Sequence, residues 1–263
     1  MMERIMVFIP MYNCEKQVVR VLKQFDTEMN KYISEIVVVN NRSTDDGEKK
    51  VLEFIRKNEI SIPITLLRNK ENYGLGGSHK VAFNYAIENK YDYLIVLHGD
   101  DQGNIHDILD TLKNKEYEKY DCILGARFAK GSKLIGYSKF RIFGNRIFNI
   151  IFSMSVRRKV LDLGSGLNMY NVSILKDKFY MKFPDNLTFN CCMLFASNYY
   201  KHSIRFVPIS WREEDQVSNV KMFSQAKMTL KMALKYFFNK NYIKSEFREK
   251  IIDSYEASEV KEK

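Results

Sequence analysis

Short apolar runs in this chain alternate with stretches of helical spacing. Arg4 to Ile9 is a largely apolar run ended by Pro10, which predicts a first strand. Cys14 to Met29 carries Val18, Val19, Leu22 and Phe25 at helical spacing. Glu35 to Val39 is a second buried strand, stopped by Asn40 and Asn41. Ser43, Thr44 and Asp45 can cap the helix that follows, with Val51, Leu52 and Ile55 on one face. Ile62 to Leu67 is a third strand, and the glycine-rich stretch Asn72 to Gly77 precedes a helix over Val81 to Ile87. Tyr93 to Leu97, Ile105 to Leu112 and Asp121 to Gly125 read as strand, helix and strand. This alternation predicts an α/β fold with a doubly wound, mostly parallel sheet flanked by helices.

After Arg127 the rhythm changes. Lys139 to Val156 and Phe223 to Phe238 read as amphipathic helices with basic edges. Between them, Gly164, Ser165 and Gly166 make a tight turn into a strand ending at Tyr170. Thr188 to Tyr199 reads as a helix, Ile204 to Ile209 as a strand and Trp211 to Val220 as a polar loop. The expected division is one domain over residues 1–238, with 239–263 a charged tail of disordered composition.

Charge and cysteines narrow the setting. The net charge is +10, which leaves nucleic acid, an anionic membrane or a phosphorylated substrate as partners. The aromatics fall at buried-strand or helical-core spacing and form no stacking platform, which argues against nucleic acid. Cys14, Cys122, Cys191 and Cys192 lack zinc-type spacing and read as reduced thiols of a cytoplasmic protein. Met1 to Pro10 leads straight into a strand, so no leader is expected. No segment reaches the ~18 apolar residues that a bilayer span requires.

The chemistry gathers where the buried run Tyr93–Leu97 stops, at His98, Gly99, Asp100, Asp101 and Gln102. Two adjacent carboxylates at the end of a buried strand need compensation. Ligands of open α/β sheets lie beyond the carboxyl ends of the strands. A divalent cation carrying a phosphorylated ligand would supply that compensation. A helix cap by Asp101 or Asn104 would explain only one of the acids.

Six pieces stand in order: IPMYNCE (Ile9 to Glu15), EIVVVNNRSTD (Glu35 to Asp45), the long stretch from Asn72 to Gln102, LGARF (Leu124 to Phe128), DLGSGLNMY (Asp162 to Tyr170) and SNVK (Ser218 to Lys221). Together they resemble the GT-A glycosyltransferases of family 2, especially the branch of dolichol- and polyprenyl-phosphate sugar transferases. The resemblance implies a nucleotide-diphosphate sugar over the strand ends, with Pro10, Tyr12 and Glu15 bordering the nucleoside. Asn40 and Asn41 stand where relatives usually carry aspartates touching the base or ribose, and the alternative is that they are turn residues. Asn72 would lie near the nucleotide, with Gly76 packing under the donor and Gly99 and Asp101 beside it. The metal motif, usually D-x-D-x-Q in this branch, begins here with His98. Asp100 is the implied Mn²⁺ or Mg²⁺ ligand and Gln102 can assist. His98 can bind Mn²⁺ or the donor phosphate or sugar.

The resemblance also implies that Arg127 faces donor or acceptor phosphates and that Ser165 and Gly166 place the acceptor. Arg212 and Lys221 would close over the diphosphate. An inverting transferase acting on a hydroxyl needs a general base. No carboxylate occurs from Asn186 to Tyr200, where many relatives carry it. That absence favours a lipid phosphate acceptor, which is already an anion; the expected acceptor is polyprenyl phosphate or a lipid-linked glycan, with the enzyme peripheral at the inner face of a membrane. The basic amphipathic helices suit such a surface, although amphipathic helices also commonly face a core. The alternatives are extension of a capsule or O-antigen glycan on a sugar hydroxyl, with Asp162, Glu213, Glu214 or Asp215 as base, and a non-catalytic nucleotide- or glycan-binding protein.

Overall fold

In the computed structural model, which describes residues 3–213 and 222–261, every apolar run named above becomes a strand. In chain order the strands are β1 Ile5–Met11, β2 Glu35–Asn40, β3 Ile64–Asn69, β4 Tyr93–Leu97, β5 Cys122–Ala126, β6 Lys133–Ile135, β7 Leu167–Asn171, β8 Ile204–Pro208, β9 Ser210–Arg212 and β10 Ala257–Glu259. The helices are α1 Val18–Leu22, α2 Gly47–Lys57, α3 Gly74–Glu88, α4 Leu109–Lys113, α5 Lys139–Val156, α6 Phe189–Tyr199 and α7 Met222–Phe238. Where a long helix was expected over Cys14 to Met29, only Val18–Leu22 is α-helical. The main sheet runs in the order β10-β3-β2-β1-β4-β7-β5-β8, while β6 and β9 pair separately.

Strands β3, β2, β1 and β4 are parallel, as the alternation predicted. The interior positions of β1, β2 and β4 are apolar on both faces, as a sheet covered on both sides requires, whereas the outer strand β3 carries Thr65 and Arg68. One hydrophobic cluster lies under each face: Phe8, Phe83 and Phe189 in one, Ile9, Val38 and Trp211 in the other. Inside the sheet β7 departs from the parallel pattern, antiparallel to both β4 and β5, with Leu97 opposite Leu167. A reversed strand begins where its neighbours end. The turn that starts β7 therefore lies beside the acidic end of β4, although some sixty residues separate them in the chain.

The tail expected to be disordered is packed. β10 adds antiparallel to β3 at the sheet edge, and Tyr255 is buried. Its hydroxyl meets Lys80 Nζ at 2.9 Å, and that ammonium also donates to Phe183 O at 2.6 Å and Asp185 Oδ1 at 2.7 Å. Composition misled here because the anchoring residues, among them Ile243, Phe247 and Tyr255, are scattered among charged ones. A buried ammonium needs several acceptors, and the tail supplies one. The loop expected over Trp211 to Val220 begins as strand β9; the rest of it lies outside the described residues.

Candidate active site

The rim is built where the carboxyl ends of β1, β4 and β5 meet the start of β7. Gly99 lets β1 and β4 approach: its N–H donates to Pro10 O at 3.2 Å, and a Cβ there would sit 2.8 Å from that oxygen. His98 donates its backbone N–H to Gly166 O at 2.9 Å, which locks the end of β4 to the turn before β7. A Cβ on Gly166 would fall 2.7 Å from His98 Cγ, so glycine is what lets the imidazole pack there. His98 Nε2 is buried and has no hydrogen-bond partner among the described residues. Burial holds its imidazole down, at about 4, in the neutral form.

Asp100 is half-buried on the turn after β4, and Gln102 N donates to its Oδ1 at 3.3 Å. Burial pushes its carboxyl up to about 6. Adjacent Asp101 behaves differently. It takes a left-handed φ of 58° and is buried, and it accepts from Arg20 Nε at 2.7 Å, Gln24 Nε2 at 3.0 Å and Arg212 Nη2 at 2.9 Å. Expected beside the donor, Asp101 instead ties α1 and β9 to the acidic loop. The Arg212 side chain therefore pairs with the acidic loop while staying partly exposed, and its backbone N–H donates to Gln102 O at 2.9 Å. Arg20 and Gln24 were not singled out from sequence; their spacing of four residues beside β1 was the available signal.

Arg127 and Asp162 face each other behind this rim. Arg127 donates to Asp162 through Nε at 2.7 Å, Nη2 at 2.7 Å and its backbone N–H at 2.9 Å. The guanidinium also lies 5.1 Å from the Trp211 ring. Asp162, expected as a spare general base, is occupied as the partner of a buried arginine. Ser165 is buried and its hydroxyl donates to Leu167 O at 3.0 Å, so it shapes the turn. A small cavity beside the turn is lined by Asp162, Gly164, Ser165, Asn168 and Asn190. α6 presents Asn190 against Gly164; its amide cannot act as a base, and its Oδ1 has no partner among the described residues.

The part of the rim expected to border the nucleoside is a hydrogen-bonded lattice. Asn40 donates to Glu48 Oε2 at 2.7 Å and accepts from Ser43 N at 2.8 Å. Asn41 donates to Asn72 Oδ1 at 2.8 Å and accepts from Asn69 Nδ2 at 2.9 Å and Tyr73 N at 2.8 Å. Both side chains are buried and committed to the turn. Glu15 accepts from Asp46 N at 3.0 Å, whereas Tyr12 is 46% exposed on the rim. Gly76 donates to Asp185 O at 2.8 Å, and a Cβ there would meet Pro184 O at 2.2 Å. Lys221, Glu214 and Asp215 lie outside the described residues, while Glu213 is paired with Arg141.

Residues 6–179 match the model of glycosyl transferase family 2. The chain belongs to glycosyl transferase family 2. This family 2 chain is 29% identical over 234 residues to the uncharacterized protein MJ0544 of Methanocaldococcus jannaschii, covering 85% of the chain and 96% of that protein. Its fold resembles glucosyl-3-phosphoglycerate synthase from Mycobacterium tuberculosis in complex with UDP, with TM-score 0.62 and 12% identity, over 90% of this chain and 80% of that one. The same synthase is also known with Mn²⁺, UDP-glucose and glycerol 3-phosphate. The fold further resembles residues 1–349 of S. aureus TarS with UDP-GlcNAc, with TM-score 0.55 and 16% identity, over 91% and 72% of the two chains. The α/β architecture with its mostly parallel sheet is thus that of the GT-A glycosyltransferases, and the chain is a glycosyltransferase.

Proposed function

We propose that this family 2 glycosyltransferase moves a sugar, with inversion, from a nucleotide-diphosphate donor to polyprenyl phosphate or a lipid-linked glycan at the cytoplasmic face of a membrane. The observation that carries the acceptor reading is the state of the acids around the Ser165–Gly166 turn. Asp162 is held by Arg127, Glu213 by Arg141, and Asn190 stands against Gly164 on α6. Among the described residues the two acids expected as a base are therefore each held by an arginine, and Asp100, beside the turn, is assigned to the cation. A phosphate acceptor arrives as an anion and needs no base.

In the proposed step an acceptor phosphate oxygen bonds to the anomeric carbon as the bond from that carbon to the diphosphate oxygen breaks. The electron pair leaves with the nucleoside diphosphate. The donor class is supported by the UDP and UDP-sugar complexes of the similar folds. The described residues contain no cage of three or more His, Cys, Asp or Glu. They do fit a cation held by one carboxylate and the donor phosphates, the arrangement Mg²⁺ commonly adopts. Asp100 would hold the Mn²⁺ or Mg²⁺, with Gln102 near it; His98 is the weaker ligand because its Nε2 is buried. Such an ion, when bound, neutralises charge on the departing diphosphate. The Arg127–Asp162 pair is proposed to fix the floor beneath that site. Asn72, Tyr12, Pro10 and Gly76 are proposed to border the nucleotide, and Arg212 and Lys221 the diphosphate.

The test is turnover of a nucleotide-sugar panel with Mn²⁺ or Mg²⁺ and a prenyl phosphate. Wild type is expected to consume one donor, and Asp100→Asn to lose on the order of a hundredfold or more of that rate. Absence of both donor binding and turnover across the panel would overturn the reading. Transfer to a sugar hydroxyl but not to prenyl phosphate would replace the acceptor.

A further inference from the structure

Helix α5 exposes a single apolar stripe. Phe140, Phe143, Ile147, Ile150 and Met154 recur at intervals of three and four residues, and each is between 40% and 73% exposed. α7, which packs against α5, exposes two parallel rows along its outer side. Leu230, Leu234 and Phe238 form one, each four residues from the next, and Lys227, Lys231 and Lys235 form the other. Phe238 is 82% exposed. Monomeric soluble proteins seldom leave contiguous apolar side chains of this size in water.

Charge decides what can cover this face. Residues 139–161 and 222–245 hold eleven Lys and Arg and no Asp or Glu, in a chain with 32 acids. A stripe spaced by threes and fours also suits pairing with another helix. A second copy of this chain would set Lys139 and Arg146 beside the same cations, because the segment has no acid to oppose them. Interfacial helices with aromatic and aliphatic residues on one face and lysine or arginine beside it lie in the plane of anionic membranes. We infer that α5 and the outer face of α7 form a docking surface for an anionic lipid bilayer, with the apolar rows entering the headgroup region and the lysine row pairing with lipid phosphates. The inference deepens the lipid-acceptor reading and rests on it for the reason a membrane is needed.

The surface is wired to the rim. Arg141 near the start of α5 pairs with Glu213, whose neighbour Arg212 binds Asp101 next to Asp100. A phosphate presented from a bilayer on which α5 rests would thus approach the acidic end of β4 from the side of the Arg141–Glu213 pair.

The test is co-sedimentation of the full chain with vesicles of phosphatidylcholine and of a phosphatidylcholine–phosphatidylglycerol mixture, at low and high salt. Wild type is expected to partition onto the mixed vesicles, less so at high salt. The triple change Lys227→Gln, Lys231→Gln, Lys235→Gln is expected to weaken partitioning roughly a hundredfold, since each cation near an anionic surface contributes about fivefold. Phe143→Ser with Ile150→Ser is expected to weaken it about tenfold or more. Both variants should keep the wild-type melting midpoint and donor binding, which confirms that they fold. Failure of wild type to bind the mixed vesicles, or wild-type binding by both folded variants, would overturn the inference. So would a wild-type dimer that Phe143→Ser with Ile150→Ser dissociates, or capture by an acidic protein in place of vesicles. Transfer to a short-chain prenyl phosphate in detergent separates the two readings. If it proceeds without vesicle binding, docking fails alone; if vesicles bind and no transfer occurs, the acceptor reading fails alone.

Discussion

Arg127 grips Asp162 through two parallel hydrogen bonds, Nε to Oδ2 and Nη2 to Oδ1, each 2.7 Å long. The side chains are 12% and 2% exposed, so each charge depends on the other. Breaking such a pair by removing one member costs about 3–5 kcal/mol. Asp162→Asn is therefore expected to lower unfolding stability by about that amount, with activity falling as the fold loosens. Thermal denaturation beside kcat checks it. An unmoved midpoint with kcat down on the order of 10²–10⁴ would instead make Asp162 a proton acceptor.

His79 lies in the core between Phe8, Phe83 and Phe189, and burial pushes its pKa from 6.5 down to about 3. The unfolded imidazole gains its proton near pH 6.5 while the folded one stays neutral. Below that pH the unfolded state binds more protons, so stability falls as pH drops toward 3, by up to about 1.4 kcal/mol per unit for each such group. His98, held at about 4, acts in the same direction. His79→Leu is expected to flatten the acid limb by nearly one proton's slope. Urea unfolding from about pH 7 to pH 5 reads that slope, and equal slopes would remove His79 from the account.

Two glycines should respond with opposite signs. Gly76→Ala would push α3 off the Pro184–Asp185 backbone, where a Cβ meets Pro184 O at 2.2 Å. A loss of roughly 1–3 kcal/mol is expected, with weaker donor binding. Gly144, inside α5, has nothing within 4 Å of its ideal Cβ. Gly144→Ala is expected to raise stability by about 0.5–1 kcal/mol. Melting midpoints that move the same way would contradict the packing described at one of them.

Tyr255 tests the packed tail. Its hydroxyl meets Lys80 Nζ at 2.9 Å and donates to Asp185 Oδ1 at 2.8 Å. Tyr255→Phe removes both contacts with the ring retained, and a loss of about 1–3 kcal/mol is expected. Hydrogen exchange along β10 and β3 should quicken with it. Unchanged stability and exchange would mean that the tail is held by its strand pairing alone.

Much of this was readable in one dimension. Runs such as Glu35–Val39 and Tyr93–Leu97 are short and apolar on both faces, and only a buried strand accommodates that pattern. The 18-residue helix Lys139–Val156 was legible to its ends because apolar periodicity holds throughout it. The order of the tail rests on scattered contacts, such as buried Ile243 and Tyr255, the Phe247 N–H to Lys182 O bond and the β10 pairing, too dispersed to show in composition. Residue chemistry located the acidic loop at His98–Gln102, yet spacing alone could not tell the two acids apart.

Local sequence determined which segments are strands and helices, that the rim of β4 is acidic and that α5 and α7 are basic. Those properties follow from a few neighbouring residues and their periodicity. Only the tertiary structure decided that Asp101 is held by Arg20, Gln24 and Arg212, that Asp162 belongs to Arg127, and which face of α5 meets water. The physical reason is that a side chain's role depends on the partners folding brings to it. Here those partners come from α1 and the residues after it, from β9, and from the segments that follow β5 and precede the reversed strand β7.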